Sequence, residues 1–205
     1  IDPDHPDLMA KLQPGYNFLG NNDDTHDVLG HGTAVAGSAG ALSNNATGVA
    51  GVAWKNPLMP LVVLNSSNWA TYSDISRAII YAVDRGVKVI NISIGGNSYS
   101  STLDNAVNYA WNNGALVFAC AANYNTSSRY YPAACSNAIA VAATDYNDNK
   151  ASFSNYGDWI TLSAPGVSIK TTNNGGSYGN WNGTSFASPI TAATAALVWS
   201  ANPQL

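Results

Sequence analysis

The chain has 205 residues, a length that suits one α/β domain with a sizeable buried core. Only 10% of the residues are charged and the net charge is −4, so there is no basic patch for nucleic acid. No apolar run approaches the roughly 18 residues that cross a bilayer, so a membrane is excluded as well. In chain order, Leu61–Leu64 reads as a short apolar strand. A helix follows from Ser73-Asp74, where Ile75, Ala78, Ile79, Ala82 and Val83 recur at i, i+3, i+4, i+7 and i+8 and Gly86 supplies the stop. Residues 87–94, rich in Val and Ile, read as a strand. Ser101-Thr102-Leu103-Asp104 resembles a capping box for a second helix, which has Leu103, Ala106, Val107 and Ala110 on one face and Gly114 after it. Strands at 115–121 and 138–143 continue the series, and Ala187–Ala201 reads as a small-residue helix. This βαβ rhythm predicts one parallel sheet covered by helices, with functional groups at the C-terminal strand edges. There is no internal repeat, linker or low-complexity segment.

Three segments carry chemistry. In Gly183-Thr184-Ser185-Phe186-Ala187-Ser188-Pro189 the serine stands where a helix begins, so unpaired N–H groups and the helix dipole favour negative charge beside its hydroxyl. A nucleophilic serine needs that setting, because the tetrahedral intermediate of acyl transfer is an oxyanion. Taken alone, such a serine is ordinarily an N-cap. Gly30-His31-Gly32-Thr33-Ala34-Val35-Ala36-Gly37 reads as a histidine in the first turn of a tightly packed helix, with glycines allowing close approach. Leu116-Val117-Phe118-Ala119-Cys120-Ala121-Ala122-Asn123 is a buried-strand pattern ending in a carboxamide, which can aim an N–H at a substrate oxygen.

In this order the three segments resemble the motifs of the subtilisin-like serine proteases (subtilases, peptidase S8), and most closely those of the thermitase-like branch. Further matches are HPDL at 5–8, NNATGVAG at 44–51, VKVINISIGG at 87–96 and the stretch 131–157. The resemblance runs essentially end to end and implies a three-layer α/β fold, with a mostly parallel sheet and helices on both faces. It also implies a single peptidase domain over 1–205. The family's catalytic Asp pattern matches Ile1-Asp2 only in its last two positions, so that Asp is expected upstream of Ile1, and a C-terminal strand and helix are expected beyond Leu205. Within the chain, Ser185 is the expected nucleophile, His31 the general base and Asn123 the oxyanion donor, with weak or no activity while the third carboxylate is missing.

The same resemblance assigns the substrate path. Ser93, Ile94 and Gly95 match the edge that pairs with an extended peptide. Tyr72 and Ile75 match the pocket for the fourth side chain before the cleaved bond. Ala121, Ala122, Tyr131, Pro132 and Ala133 match the walls for the first. Those walls hold no carboxylate, which points to apolar or aromatic side chains rather than Lys or Arg. A structural calcium is implied, with Asp7, Asn45, Thr47 and the carbonyls of Leu42 and Val49 as oxygen ligands. A second calcium site of the branch is expected to be absent, since Asn17, Gly20 and Asn22 replace its acidic positions. Asp23, Asp24 and Asp27 then read as a solvated acidic loop, and His5 and His26 as surface residues.

The resemblance further implies a secreted monomer acting on protein or peptide substrates, with an upstream propeptide. Cys120 and Cys135 could close a loop of about fifteen residues near the pocket. Ala122 stands where the family has Gly, which alters backbone freedom beside the oxyanion residue. A non-catalytic peptide-binding protein is the alternative from another class. An α/β-hydrolase esterase is disfavoured because G-T-S-F-A is not its G-x-S-x-G elbow and the His precedes the Ser.

Overall fold

The computed structural model describes residues 1–205 as eight strands and four helices. In chain order these are β1 (Tyr16–Asn17), α1 (His31–Gly40), β2 (Leu61–Val62), α2 (Tyr72–Asp84), β3 (Val89–Ile92) and α3 (Ser101–Asn112). They continue with β4 (Leu116–Cys120), β5 (Ala138–Thr144), β6 (Leu162–Pro165), β7 (Ile169–Asn173), β8 (Ser177–Trp181) and α4 (Thr184–Ala201). Strands β3 to β6 form a parallel sheet in sequence order, with Val89 opposite Leu116, Val117 opposite Ala138 and Val141 opposite Leu162. β1 and β2 make a separate parallel pair, and β7 and β8 an antiparallel hairpin.

Side chains alternate across the sheet, and each face is covered by helices. Val117 and Ala119 join Ile75, Ile79, Leu103 and Val107 in one core beneath α2 and α3. Phe118 points the other way and packs with Val141, Ala187 and Ala192 beneath α4. Fully burying a side chain such as Ile79 or Leu103 is worth about 1.5–3 kcal/mol, so the helical spacing of these residues fixes both helices on the sheet.

Local signals explain most element ends. α2 starts one residue earlier than Ser73 because Thr71 caps it: its hydroxyl accepts from the Asp74 N–H at 2.9 Å and donates to the Asp74 carboxylate at 2.7 Å. The cap of α3 is Ser100, not Ser101, and it accepts from the Leu103 N–H. The Ala-rich helix also reaches further back, to Thr184, which puts Ser185 inside its first turn.

α1 packs on β7 through small residues. Thr171 and Thr172, both fully buried, donate their hydroxyls at 2.7 Å to the carbonyls of Ala34 and Thr33. They also occupy the space that any side chain at Gly37 would need. Cys120 and Cys135 remain free thiols because they belong to different surroundings. Cys120 lies against Thr184 and Ser185, whereas Cys135 sits in the α2–α3 core beside Asp104, and burial pushes its thiol up to about 12.

Between β2 and β3 runs an apolar cavity of about 850 Å³, lined by Leu61–Leu64, Ile75, Ile79, Val35 and Ile90–Ile94 and reaching His31 at one end. β2 pairs only with β1 and β3 only with β4, so both strands turn an unpaired edge toward it.

Candidate active site

The C-terminal ends of β3 and β4 meet the N-terminus of α4. Gly183 opens that helix with φ +152, a backbone shape that a residue with a side chain rarely adopts. Thr184 and Ser185 follow in the first turn, where N–H groups have no intrahelical partner. The turn is tied to β3 by a chain of side chains. Ser188 Oγ donates to Asn91 Oδ1 at 2.7 Å, Asn91 Nδ2 donates to Ser93 Oγ at 3.0 Å, and Ser93 Oγ donates to the Ser185 carbonyl at 2.8 Å. Ser185 Oγ donates in turn to the Ser93 carbonyl at 3.3 Å.

Asn123 sits just past β4. Its Oδ1 accepts from both the N–H and the hydroxyl of Thr184, each at 2.9 Å. That fixes which end of the carboxamide is free: Nδ2 stays available on the exposed side, 3.4 Å from where a Cβ on Gly183 would stand. Ala122 before it takes φ +75, a left-handed conformation that ordinarily favours glycine. Asn155 braces the loop behind. Its N–H donates to the Ala122 carbonyl at 3.1 Å, and its Oδ1 accepts from the Tyr124 N–H at 2.9 Å.

His31 is the first residue of α1, and its ring lies edge-on to Phe186 at 6.0 Å and to Trp181 at 6.5 Å between centroids. Phe186 directly follows Ser185, so base and nucleophile occupy one corner, although the Ser185 hydroxyl is bonded to Ser93 and not to His31. Catalytic hydrogen bonds are often loose without substrate. Burial holds the His31 pKa below the ordinary 6.5, while the Asp27 charge pulls it the other way. A neutral imidazole is the form that accepts a proton.

The predicted substrate path is brought to the same corner. Ser93, Ile94 and Gly95 leave β3 directly beneath Ser185, and Gly96 exchanges backbone hydrogen bonds with Tyr131 at 3.0 and 2.8 Å. The Tyr72 hydroxyl lies over Gly96, and Ile75 is buried one turn further along α2. Ala121, Pro132 and Ala133 are buried on the opposite flank, with Ala122 half-buried at the lip.

The residues of the predicted calcium site also converge. Asp7 is fully buried with no cationic partner. Its carboxylate accepts from Asn45 Nδ2 at 2.6 Å and from the Val49 N–H at 3.0 Å, while its carbonyl accepts from the Leu42 N–H at 2.8 Å. Thr47 N–H bonds to Asn45 Oδ1 at 3.2 Å. Ser43 Oγ and Tyr178 OH are buried there without a hydrogen-bond partner. A buried carboxylate beside carboxamide, hydroxyl and carbonyl oxygens has the chemistry a hard cation takes, but here Asn45 turns its Nδ2, and Val49 and Leu42 their N–H groups, toward Asp7.

Two expectations are corrected. His5 is fully buried, not a surface residue: one ring nitrogen meets the Ser177 carbonyl and the other accepts from the Asp7 N–H, each at 3.1 Å. Asp27 is half-buried and bonded to the start of α1, not a solvated loop residue. An Asp four residues before the helix-opening His was the available signal, since acidic residues favour helix starts.

The comparisons agree with this geometry. The family model described as the subtilase family, Peptidase S8, matches residues 1–205. The chain belongs to the subtilase family. It is 48% identical over 198 residues to the thermophilic serine proteinase of Bacillus sp. (strain AK1), covering 97% of this chain and 49% of that protein. It is 44% identical over 198 residues to thermitase of Thermoactinomyces vulgaris, covering 97% of this chain and 71% of that protein. Thus the subtilase chain spans about half the length of one such relative and under three quarters of the other. A solved structure of proteases from Pseudoalteromonas arctica superposes with a TM-score of 0.92 at 34% identity, over 99% of this chain and 76% of that one. Both the subtilisin-like fold and membership in a family of serine endopeptidases are established by these matches.

Proposed function

We propose that this chain carries the nucleophile, base and oxyanion donors of a secreted serine endopeptidase that cuts proteins and peptides beside apolar or aromatic residues. The observation that carries the reading is Asn123. With Oδ1 committed to Thr184, its Nδ2 and the Ser185 N–H are two donors set against one nucleophile. Ser185 Oγ attacks the scissile carbonyl, His31 takes its proton and then returns it to the leaving amine, and the two donors hold the oxyanion. The substrate pairs as an added strand along Ser93–Gly95. Its flanking side chains enter the walls formed by Tyr72 and Ile75 and by Ala121, Ala122 and Tyr131–Ala133.

The third carboxylate is proposed to arrive on an upstream strand seated in the cavity between β2 and β3. Two unpaired parallel edges and an apolar lining that ends at His31 support this. Calcium is proposed to be held by Asp7, Asn45 Oδ1, Thr47 and the carbonyls of Leu42 and Val49, as a structural tie for loop 42–49. Added calcium raises the melting temperature of the wild type and not of Asp7→Asn.

The test is labelling with a fluorophosphonate probe, with the modified residue located by peptide mass mapping. Labelling of Ser185 that disappears in His31→Ala supports the proposal. A folded chain that never labels, alone or with an upstream segment restored, supports a peptide-binding protein without catalysis.

A further inference from the structure

The turn that presents His31 has no cap of its own. Gly30, at the N-cap position with φ +84, has no side chain to offer the first N–H groups of α1. Asp27 supplies one from three residues upstream. Its Oδ1 accepts from the Leu29 N–H at 3.0 Å and the Gly30 N–H at 2.8 Å. Its Oδ2 lies 2.7 Å from both the N–H and the hydroxyl of Thr33. These donors bracket His31 on both sides. A second layer holds the carboxylate: Asn174 Nδ2 donates to the Asp27 carbonyl at 2.6 Å, and Asn174 Oδ1 meets the Thr33 hydroxyl at 2.7 Å. A Cβ built on Gly32 would stand 3.4 Å from Asp27 Oδ2, so the charge sits against the first turn itself.

We propose that Asp27 is a positioning residue for the base, clamping the turn that carries His31 and keeping a fixed negative charge against that turn. The proposal rests on the reading of His31 as general base. Both carboxylate oxygens are spent on Leu29, Gly30 and Thr33, so the effect on the ring is through space and not by direct hydrogen bond. A half-buried charge is felt more strongly than one wholly in water. Its sign favours the imidazolium that forms when Ser185 gives up its proton, and this opposes the cost of burying that cation. Few other charges face the turn. The Ile1 amine, Asp2 and His26 lie on the segments beside it, and Asp23 and Asp24 are exposed. α4 has no charged residue, Lys170 on β7 is exposed, and Lys11 lies at the far end of α1 beside Gly40.

The test separates clamp from charge. His31 is titrated by NMR in the 205-residue chain, its ring signals assigned with His31→Ala, and Ser185 phosphonylation is followed across the same pH range. Asp27→Asn keeps the side chain's size but removes the charge and one of the two acceptor oxygens, so the melting temperature falls and the His31 midpoint and the acidic limb of labelling both move to lower pH. Thr33→Val keeps the charge and loosens the turn, so it lowers the melting temperature and leaves the midpoint in place. Asp27→Glu restores the midpoint toward wild type. An unchanged or raised midpoint in Asp27→Asn overturns the proposal, as does an equal shift in Thr33→Val. If Asp27→Asn melts below the assay temperature, added NaCl on the wild type screens the same charge, and a midpoint that does not fall overturns it. Failure of Ser185 to label at any pH, with and without an upstream segment restored, refutes the endopeptidase reading instead, because the NMR titration does not depend on turnover.

Discussion

Replacing Ala122 by glycine should make this protein more stable, against the usual rule for Ala→Gly. Ala122 is held at φ +75 between a fully buried Ala121 and the oxyanion residue, with its carbonyl bonded to Asn155. A left-handed residue that carries a Cβ stores about 1–3 kcal/mol. Glycine releases that strain and gives back about 0.4–1 kcal/mol through the freer unfolded chain. The methyl is half-buried, so its loss removes less than the roughly 0.8 kcal/mol of a fully buried carbon. At mid-range the balance is a gain of about 0.5–1 kcal/mol, or a melting temperature higher by about 1–4 °C for a chain of this size. Differential scanning calorimetry of Ala122→Gly beside Ala36→Gly is the assay. Ala36 lies in α1 in ordinary helical geometry, where glycine costs about 1 kcal/mol. If the two variants melt lower by similar amounts, the left-handed strain at 122 is not real and the reasoning fails.

Asn123→Ala should leave the fold intact and slow phosphonylation of Ser185 about 10- to 150-fold, the loss of one hydrogen bond to a charged group worth about 1.5–3 kcal/mol. A rate within twofold of wild type would remove Asn123 from the site. Gly37→Ala gains about 1 kcal/mol of helix propensity. It forces Thr171 and Thr172 aside, however, at about 1–3 kcal/mol for overpacking and about 1 for each hydrogen bond. Chemical denaturation should therefore show a net loss. Both thiols should be silent to Ellman's reagent in the native protein and react in denaturant without reductant, since burial favours their protonated forms. Finding a disulfide would contradict the two separate surroundings of Cys120 and Cys135.

The elements built on long apolar spacing were legible in the sequence: α2, α3 and strands β3 to β5 stand within a few residues of where periodicity puts them. Ser185, His31 and Asn123 were legible because each lies where a regular element begins or ends, and the fold brings those ends together. β6, β7 and β8 were not: Leu162–Pro165 is four mostly exposed residues ending in proline, and Ile169–Asn173 and Ser177–Trp181 are five residues each with no apolar alternation to read. Asp27 and His5 were misjudged for a common reason. A charged or polar residue in a loop looks solvated until the partners that bury it are known, and one of the two of His5 lies 172 residues away at Ser177. The small Thr171-Thr172 pair carried no signal at all, yet it is what Gly37 of α1 makes room for.

That pair also dictates when the site can exist. The hydroxyls that hold the His31 helix reach across 137 and 139 residues, and the link from Ser93 to Ser185 spans 92. Closing such distant contacts is slow and comes late in folding. On a ribosome, neither base nor nucleophile would be framed until almost all of these residues had emerged. A nascent chain thus holds these side chains apart for most of its synthesis, and the corner where Ser185 meets Ser93 is among the last parts of the fold to close.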